Sequence, residues 1–107
     1  MLFKPEGETK VQMSVWSVRE VSIPFLGEAT QHLVGVVDGL GRVCSPIQDF
    51  NREAMMVTSR SGKLYELIGE PGLDMDAAYV FANWCRMNGV TEATDVTVQY
   101  WNEAPSN

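Results

Sequence analysis

One stretch of this chain, residues 74–88, carries a full set of signals for an α-helix, while most of what precedes it has the periodicity of β-strands. Asp74 is suited to an N-cap, and Gly89 is placed to end the helix in a left-handed conformation. At about 100° per residue, one stripe is apolar and consists of Ala77, Val80, Phe81, Trp84 and Cys85. A single amphipathic helix must bury its apolar stripe, and here the strands offer the surface for it. The sequence therefore predicts an α+β fold.

The strand pattern predicts about five or six strands in a curved antiparallel sheet, with β-hairpins first and the helix packed on the sheet. Alternation in residues 11–23 slips phase near Trp16–Val18, which is typical of a β-bulge. Asp38–Gly41 is predicted to turn between two strands. Arg60–Gly62 marks the clearest hairpin, because Gly62 tolerates the positive φ that such a loop requires.

The remaining segments complete a single domain over residues 1–107. A final strand is predicted at about 95–101, where Val96, Val98 and Tyr100 alternate with Thr97, Gln99 and Trp101. Residues 48–53 are polar and are predicted to be a loop. The polar ends, residues 1–10 and 102–107, are predicted to be loose termini.

The residues needed for familiar chemistries are scarce. The chain has one histidine, His32, and two cysteines, Cys44 and Cys85, with no phosphate-binding glycine loop and no metal-ligand spacing. On the expected hairpin register, Cys44 faces Val36 and lies too far from His32 for a thiolate–imidazole pair. We therefore identify no catalytic residue, no metal site and no cofactor, and the two cysteines are interpreted as core residues. His32 is interpreted as a partly buried histidine, with weak proton transfer as the alternative.

The charge of the chain is uneven and argues against two classes of partner. Residues 1–63 hold seven acidic and seven basic side chains, whereas residues 64–107 hold seven acidic side chains and Arg86 alone, so the net charge is −6. An acidic surface repels phosphate backbones and anionic lipid, so we expect no direct nucleic-acid or membrane binding. The chain shows no secretory signal, and its two thiols favour a cytoplasmic protein.

Two surfaces are candidates for binding. Trp16 and Trp101 fall on the less apolar face of their strands, together with Gln99, and each tryptophan needs a cover: a neighbouring segment, a second copy of the chain or a partner. Such aromatic residues often anchor interfaces. The hairpin tip offers Arg60, Ser61 and Lys63, which can hold a phosphate or carboxylate but also suit a soluble turn.

Two functions fit these observations. The first is a small cytosolic interaction protein, such as a regulator, inhibitor or assembly subunit, that binds a protein or associates with itself. The second is a small-molecule or anion-binding protein, or a minor enzyme, with a pocket between sheet and helix and with His32 or Arg60 inside it.

Overall fold

The structure is a computed structural model that describes residues 10–101. It confirms an α+β fold in which one helix packs on a mostly antiparallel sheet, with seven strands where five or six were expected. The elements in chain order are β1 Lys10–Ser22, a 3-10 turn Pro24–Leu26, β2 Thr30–Val37, β3 Leu40–Val43, β4 Ile47–Asn51, β5 Met56–Ser59, β6 Leu64–Ile68, α1 Met75–Asn88, β7 Glu92–Asp95 and a second 3-10 turn Thr97–Gln99. Lys10 opens β1, and the other residues predicted to be loose termini lie outside the described range.

Strand β1 organises the sheet, whose order is β3-β2-β1-β6-β5-β4, with β7 also paired to β1. One side of β1 pairs antiparallel with β2 along most of its length. On the other side, Lys10–Ser14 pairs in parallel with β6, and Arg19–Ser22 pairs antiparallel with β7. A single strand therefore carries two partners in succession on one side.

A β-bulge lies where β1 changes partners, and it confirms the phase slip seen in the sequence. Ser14 pairs with Val36 and Ser17 pairs with Val34, so Val15 and Trp16 together oppose Gly35. Val15 takes a φ of 46°, which is costly for a β-branched residue. The extra residue keeps Trp16 on the buried side of the strand, where it is enclosed by its own chain.

Two apolar clusters stabilise the fold. The larger one draws on β1, β2, β5, β6 and the segment after β7, so the sheet bends around it; its buried members are Met13, Trp16, Val18, Leu33, Val37, Cys44, Val57, Tyr65, Leu67, Val96 and Tyr100. The smaller one lies beneath α1 and is built on Val21, Val34, Ala77 and Phe81. The sheet thus buries one face around a core and part of the other under the helix.

The helix matches the sequence prediction at both ends. The Asp74 carboxylate accepts a hydrogen bond from the Ala77 amide at 3.0 Å, and Gly89 ends the helix at a φ of 68°. Val90 then donates its amide to the Cys85 carbonyl at 3.0 Å, which completes a Schellman ending. Helix and sheet are tightly packed, since a Cβ added at Gly41 would lie 2.7 Å from the Cα of Ala77.

Three predictions about the strands need correction. Residues 48–53, predicted to be a loop, contain most of β4, a largely exposed strand at the end of the sheet, whose polar composition conceals its pairing with β5. The turn between β2 and β3 is only Asp38-Gly39, because both residues accept positive φ, so Val36 pairs with Gly41 and not with Cys44. The final strand, predicted at about 95–101, is β7 at Glu92–Asp95, so only Asp95 of the predicted range belongs to it.

The chain beyond Asp95 turns because of one side chain. The Asp95 carboxylate accepts the Thr97 amide at 2.9 Å, and the amides of Gln99 and Tyr100 then bond to carbonyls within the 3-10 turn. Val96 and Tyr100 are consequently buried while Val98 is exposed. The alternation of these three residues resembles a strand, but it marks the inner and outer sides of a turn.

Removal of Phe81 tests the packing of the helix on the sheet. Phe81 is 7% exposed, stacks on Trp84 and carries the Arg19 guanidinium on its ring. Phe81→Ala should therefore lower the free energy of unfolding by about 3–5 kcal/mol in denaturant melts. Tyr79→Ala is the matched control, since Tyr79 is 67% exposed on the same helix, and it should cost less than about 0.5 kcal/mol. Equal losses in the two variants would contradict this packing.

Candidate functional site

The two tryptophans proposed as interface residues occupy different environments. Trp16 is fully buried and its indole N–H donates to the Gly69 carbonyl at 3.0 Å, so its own chain covers it and it offers no surface as an interaction residue. Trp101 is half-buried and meets the edge of Trp16 with ring centroids 6.0 Å apart. Trp16 therefore holds Trp101 in place, and Trp101 keeps some surface for contact.

Trp101 lines an open groove of about 630 Å³ together with Arg52, Met55, Val98 and Tyr100. Arg52 and Met55 come from the tight turn between β4 and β5, where the Asn51 side chain accepts the Ala54 amide at 3.1 Å. The other three residues come from the 3-10 turn and its continuation. Two turns that are distant in sequence thus form the two sides of one concave surface.

Arg52 is held firmly at this groove. Its two terminal nitrogens donate to the carbonyls of Tyr100 at 3.4 Å and Gln99 at 3.1 Å. Its guanidinium also lies 5.3 Å from the centre of the Phe50 ring, which packs against Tyr100 in turn. These contacts fix the position of the guanidinium plane before any ligand arrives.

A polar network supports the groove from behind. The Tyr100 hydroxyl donates to the Gln31 side-chain oxygen, and the Gln31 amide nitrogen donates to Glu20 at 3.0 Å and to the Gln99 side chain at 3.3 Å. Burial, with smaller contributions from Cys44 and Glu20, raises the pKa of Tyr100, so its phenol stays protonated and keeps donating. Gln99, an interaction candidate, is exposed and takes part in this network through its side chain.

His32 lies beneath the helix and has a complete set of partners. Its Nδ1–H donates to the Cys44 carbonyl at 2.8 Å, which leaves Nε2 as the acceptor for the Thr30 hydroxyl at 2.7 Å. The ring packs against Trp84 with centroids 4.7 Å apart. Burial lowers the pKa of His32, the Cys44 carbonyl opposes this shift, and the charge of Arg60 adds to it. The geometry is that of a neutral structural imidazole.

Cys44 does not form a nucleophilic pair with His32, although the two residues are closer than the sequence register suggested. The imidazole bonds to the backbone carbonyl of Cys44, whereas the thiol donates to the Ser45 carbonyl at 2.8 Å and accepts the Leu33 amide at 3.1 Å. Burial raises the pKa of Cys44 to about 11. Such a thiol remains protonated at neutral pH and is a poor nucleophile.

The hairpin tip uses its backbone amides internally. Arg60 donates to the Pro46 carbonyl at 2.7 Å, Ser61 to the Ser45 hydroxyl at 3.2 Å, and Gly62 to the Ser59 carbonyl at 2.8 Å. The Ser61 hydroxyl is also bonded to Ser59 at 3.1 Å. The tip can therefore offer an anion the side chains of Arg60 and Lys63, but not the cradle of amides that would reinforce them. The prediction of an anion site here stays a prediction.

Other kinds of site find little support within residues 10–101. This part of the chain has no group of three or more histidine, cysteine or acidic side chains arranged to hold a metal ion. The gap between α1 and the sheet, bordered by Ser17, Val34 and Ala77, has no room for a water molecule. None of the described helices is long and apolar enough to cross a bilayer.

Comparison with known proteins yields no relative. No protein-family model, no curated protein and no solved structure matches this chain.

Sequence reasoning identified one groove residue, Trp101, and missed the other four. Arg52 lies in the polar segment 48–53, which drew no functional prediction, and Met55 was not singled out, although it packs on the core and also lines the groove. The signal that could have drawn attention to this turn is Asn51, whose side chain can cap a tight turn and so present Arg52 in one direction.

The buried histidine should make stability depend on pH in a defined window. The pKa of folded His32 lies below its ordinary value of 6.5. At a pH between these two pKa values, the unfolded chain therefore binds more protons than the folded one. The stabilisation is thus complete above pH 6.5 and is lost as the pH falls toward the folded pKa. His32→Asn should remove this component, so the wild type should lose more unfolding free energy than the variant between about pH 7.5 and about pH 5.5. Parallel denaturant melts measure the difference, and identical pH slopes would refute it.

The two free thiols should react at different rates. Both pKa values are raised by burial, but Cys85 is only half-buried and the charge of Arg19 opposes its shift, whereas Cys44 is buried. Brief alkylation of the native protein near pH 8 should therefore modify Cys85 at least about tenfold faster than Cys44, as quantified by peptide mass spectrometry. Denatured protein, in which both thiols should react alike, is the control. Faster labelling of Cys44 would show that its environment is not closed.

Proposed function

We propose that this chain is a small cytosolic interaction protein, a regulator, inhibitor or assembly subunit, that acts by binding another protein and not by catalysis. The observation that carries the proposal is the composition of the groove, in which Trp101, Tyr100, Arg52 and Met55 converge. Tryptophan, tyrosine and arginine dominate the energetics of protein interfaces, and methionine is enriched there as well.

The groove is preformed, which favours binding. Trp101 rests on Trp16, Tyr100 is tied to Gln31, and Arg52 is bonded to two carbonyls. A partner would not have to order these side chains, so less binding free energy would be lost to entropy. Val98 supports the same assignment, since this apolar residue is 79% exposed at the groove and would be covered by a bound partner.

The wider properties of the chain restrict the partner. The net charge of −6 disfavours nucleic acid and anionic membranes, and the two free thiols suit a reducing cytoplasm. Self-association is compatible with the groove, and sedimentation of the wild type distinguishes a homodimer from a monomer that awaits another protein.

The second candidate function is binding of a small molecule, and its site would be the groove and not the predicted pocket between sheet and helix. A pocket between sheet and helix is not supported, because that gap has no room for a water molecule. The groove volume of about 630 Å³ is in the range of small-molecule sites, so the same surface would serve such a ligand.

Val98→Asp tests the proposed surface. Val98 is 79% exposed, so its replacement should change the free energy of unfolding by less than about 0.5 kcal/mol. A carboxylate at the centre of an apolar contact should nevertheless weaken partner binding by about 2 kcal/mol or more. Val98 is a cleaner probe than Trp101, whose loss would also remove the packing on Trp16.

The partner for this test is obtained by affinity capture from the native host with the wild-type chain, followed by titration of the purified complex. Met75→Asp is the matched control, because Met75 is 83% exposed and lies on the helix, outside the groove lining. Unchanged binding by Val98→Asp together with weakened binding by Met75→Asp would move the interface to the helix.

A further inference from the structure

Arg52 is the charged residue in the groove lining, and its charge is not neutralised by a neighbour within the described range. The ion pairs in residues 10–101 join Lys10 to Glu66 and Arg19 to Asp95, and neither involves Arg52. The other groove residues are Met55, Val98, Tyr100 and Trp101, which contribute no charge at neutral pH. In a chain with a net charge of −6, this groove therefore presents a local positive site.

The guanidinium is also prepared for a planar anion. Two of its N–H groups are used by the carbonyls of Gln99 and Tyr100, and Phe50 supports its face. The remaining N–H groups lie in the same plane, and Arg52 is an exposed residue that a ligand can reach. An arginine whose rotamers are already restricted binds a carboxylate with less entropic loss than a mobile one.

The remainder of the groove suits an apolar side chain. Met55 is adaptable in shape, Trp101 is fixed by Trp16, and Val98 extends the apolar surface outward. Arg52 lines the same groove as this apolar surface. A ligand that fills the groove must therefore combine an apolar group with a negative one at close spacing.

Resting on the proposed function, we infer that the groove binds an acidic–apolar segment of a partner protein, with an aspartate or glutamate on Arg52 and a neighbouring large apolar side chain against Met55 and Trp101. A carboxylate fits better than a phosphate. The anion would meet a single guanidinium whose neighbours include the carbonyl oxygens of Gln99 and Tyr100, and a dianion would be repelled more strongly by an acidic protein.

The test is selection of a random phage-displayed peptide library on the immobilised full chain. The selected peptides should carry an acidic residue within one or two positions of a large apolar residue. Binding of a fluorescent copy of the best peptide, measured by polarisation, should weaken about tenfold or more for Arg52→Met and less than about twofold for Arg86→Met, an equal charge change on the helix. Added salt should weaken wild-type binding more than Arg52→Met binding.

The peptide provides a second reading if Arg52→Met fails to fold. Replacement of the selected acidic residue by its amide should weaken binding to the wild-type chain about tenfold. Selected peptides that lack an acidic residue, but whose binding is weakened by Val98→Asp, would overturn this inference and leave the proposed function intact. If no selected peptide depends on Val98, both fail. Tighter binding of a phosphoserine peptide than of its aspartate counterpart would overturn the preference for a carboxylate.

Discussion

The fold depends on one change of hydrogen-bonding partner in the middle of β1. Between the segments that pair with β6 and β7, the Trp16 carbonyl accepts the Gly72 amide, the Val18 amide donates to the Thr97 hydroxyl, and the Val18 carbonyl accepts the Val96 amide. These three backbone groups near the bulge thus find partners outside the paired strands. Buried polar groups of the backbone are costly when unpaired, so these contacts keep both neighbouring segments in position.

The groove is a product of the same arrangement. The bulge directs Trp16 inward to meet Trp101, and the bond to Thr97 anchors the 3-10 turn from which Val98 and Tyr100 project. Arg52, in the β4–β5 turn, then connects to this region through its hydrogen bond to the carbonyl of Tyr100, which lies 48 residues further along the chain. The candidate binding surface is therefore part of the main packing of the protein and is not an independent loop.

The sequence predicts best those features whose causes are local. The Asp74 cap, the Gly89 ending and the positive φ at Gly62 each depend on a few neighbouring residues, and all three occur as expected. The β-bulge was also visible, because it exchanges the faces of a strand.

Features that depend on contacts between residues distant in the chain could not be predicted from the sequence. Asp38–Gly41 holds two glycines and permits more than one turn, so its register could not be chosen from sequence alone. Arg52 and Trp101 line one groove because two turns that are distant in sequence approach each other in space, and no local pattern encodes that approach. Trp101 was singled out as part of the final strand predicted at 95–101, whereas the Asp95 cap turns the chain there.

The pairing of β1 with residues so far along the chain has a consequence for the order of events during synthesis. The hydrogen bond between Val18 and Thr97 joins residues 79 positions apart. Such contacts form late in folding, because the chain loses the entropy of loop closure before the contact stabilises it. A ribosome-bound chain that has not yet released residues 92–101 lacks one wall of the groove. The groove therefore forms only after residues 92–101 have left the ribosome, and a shorter chain presents only the side that carries Arg52 and Met55.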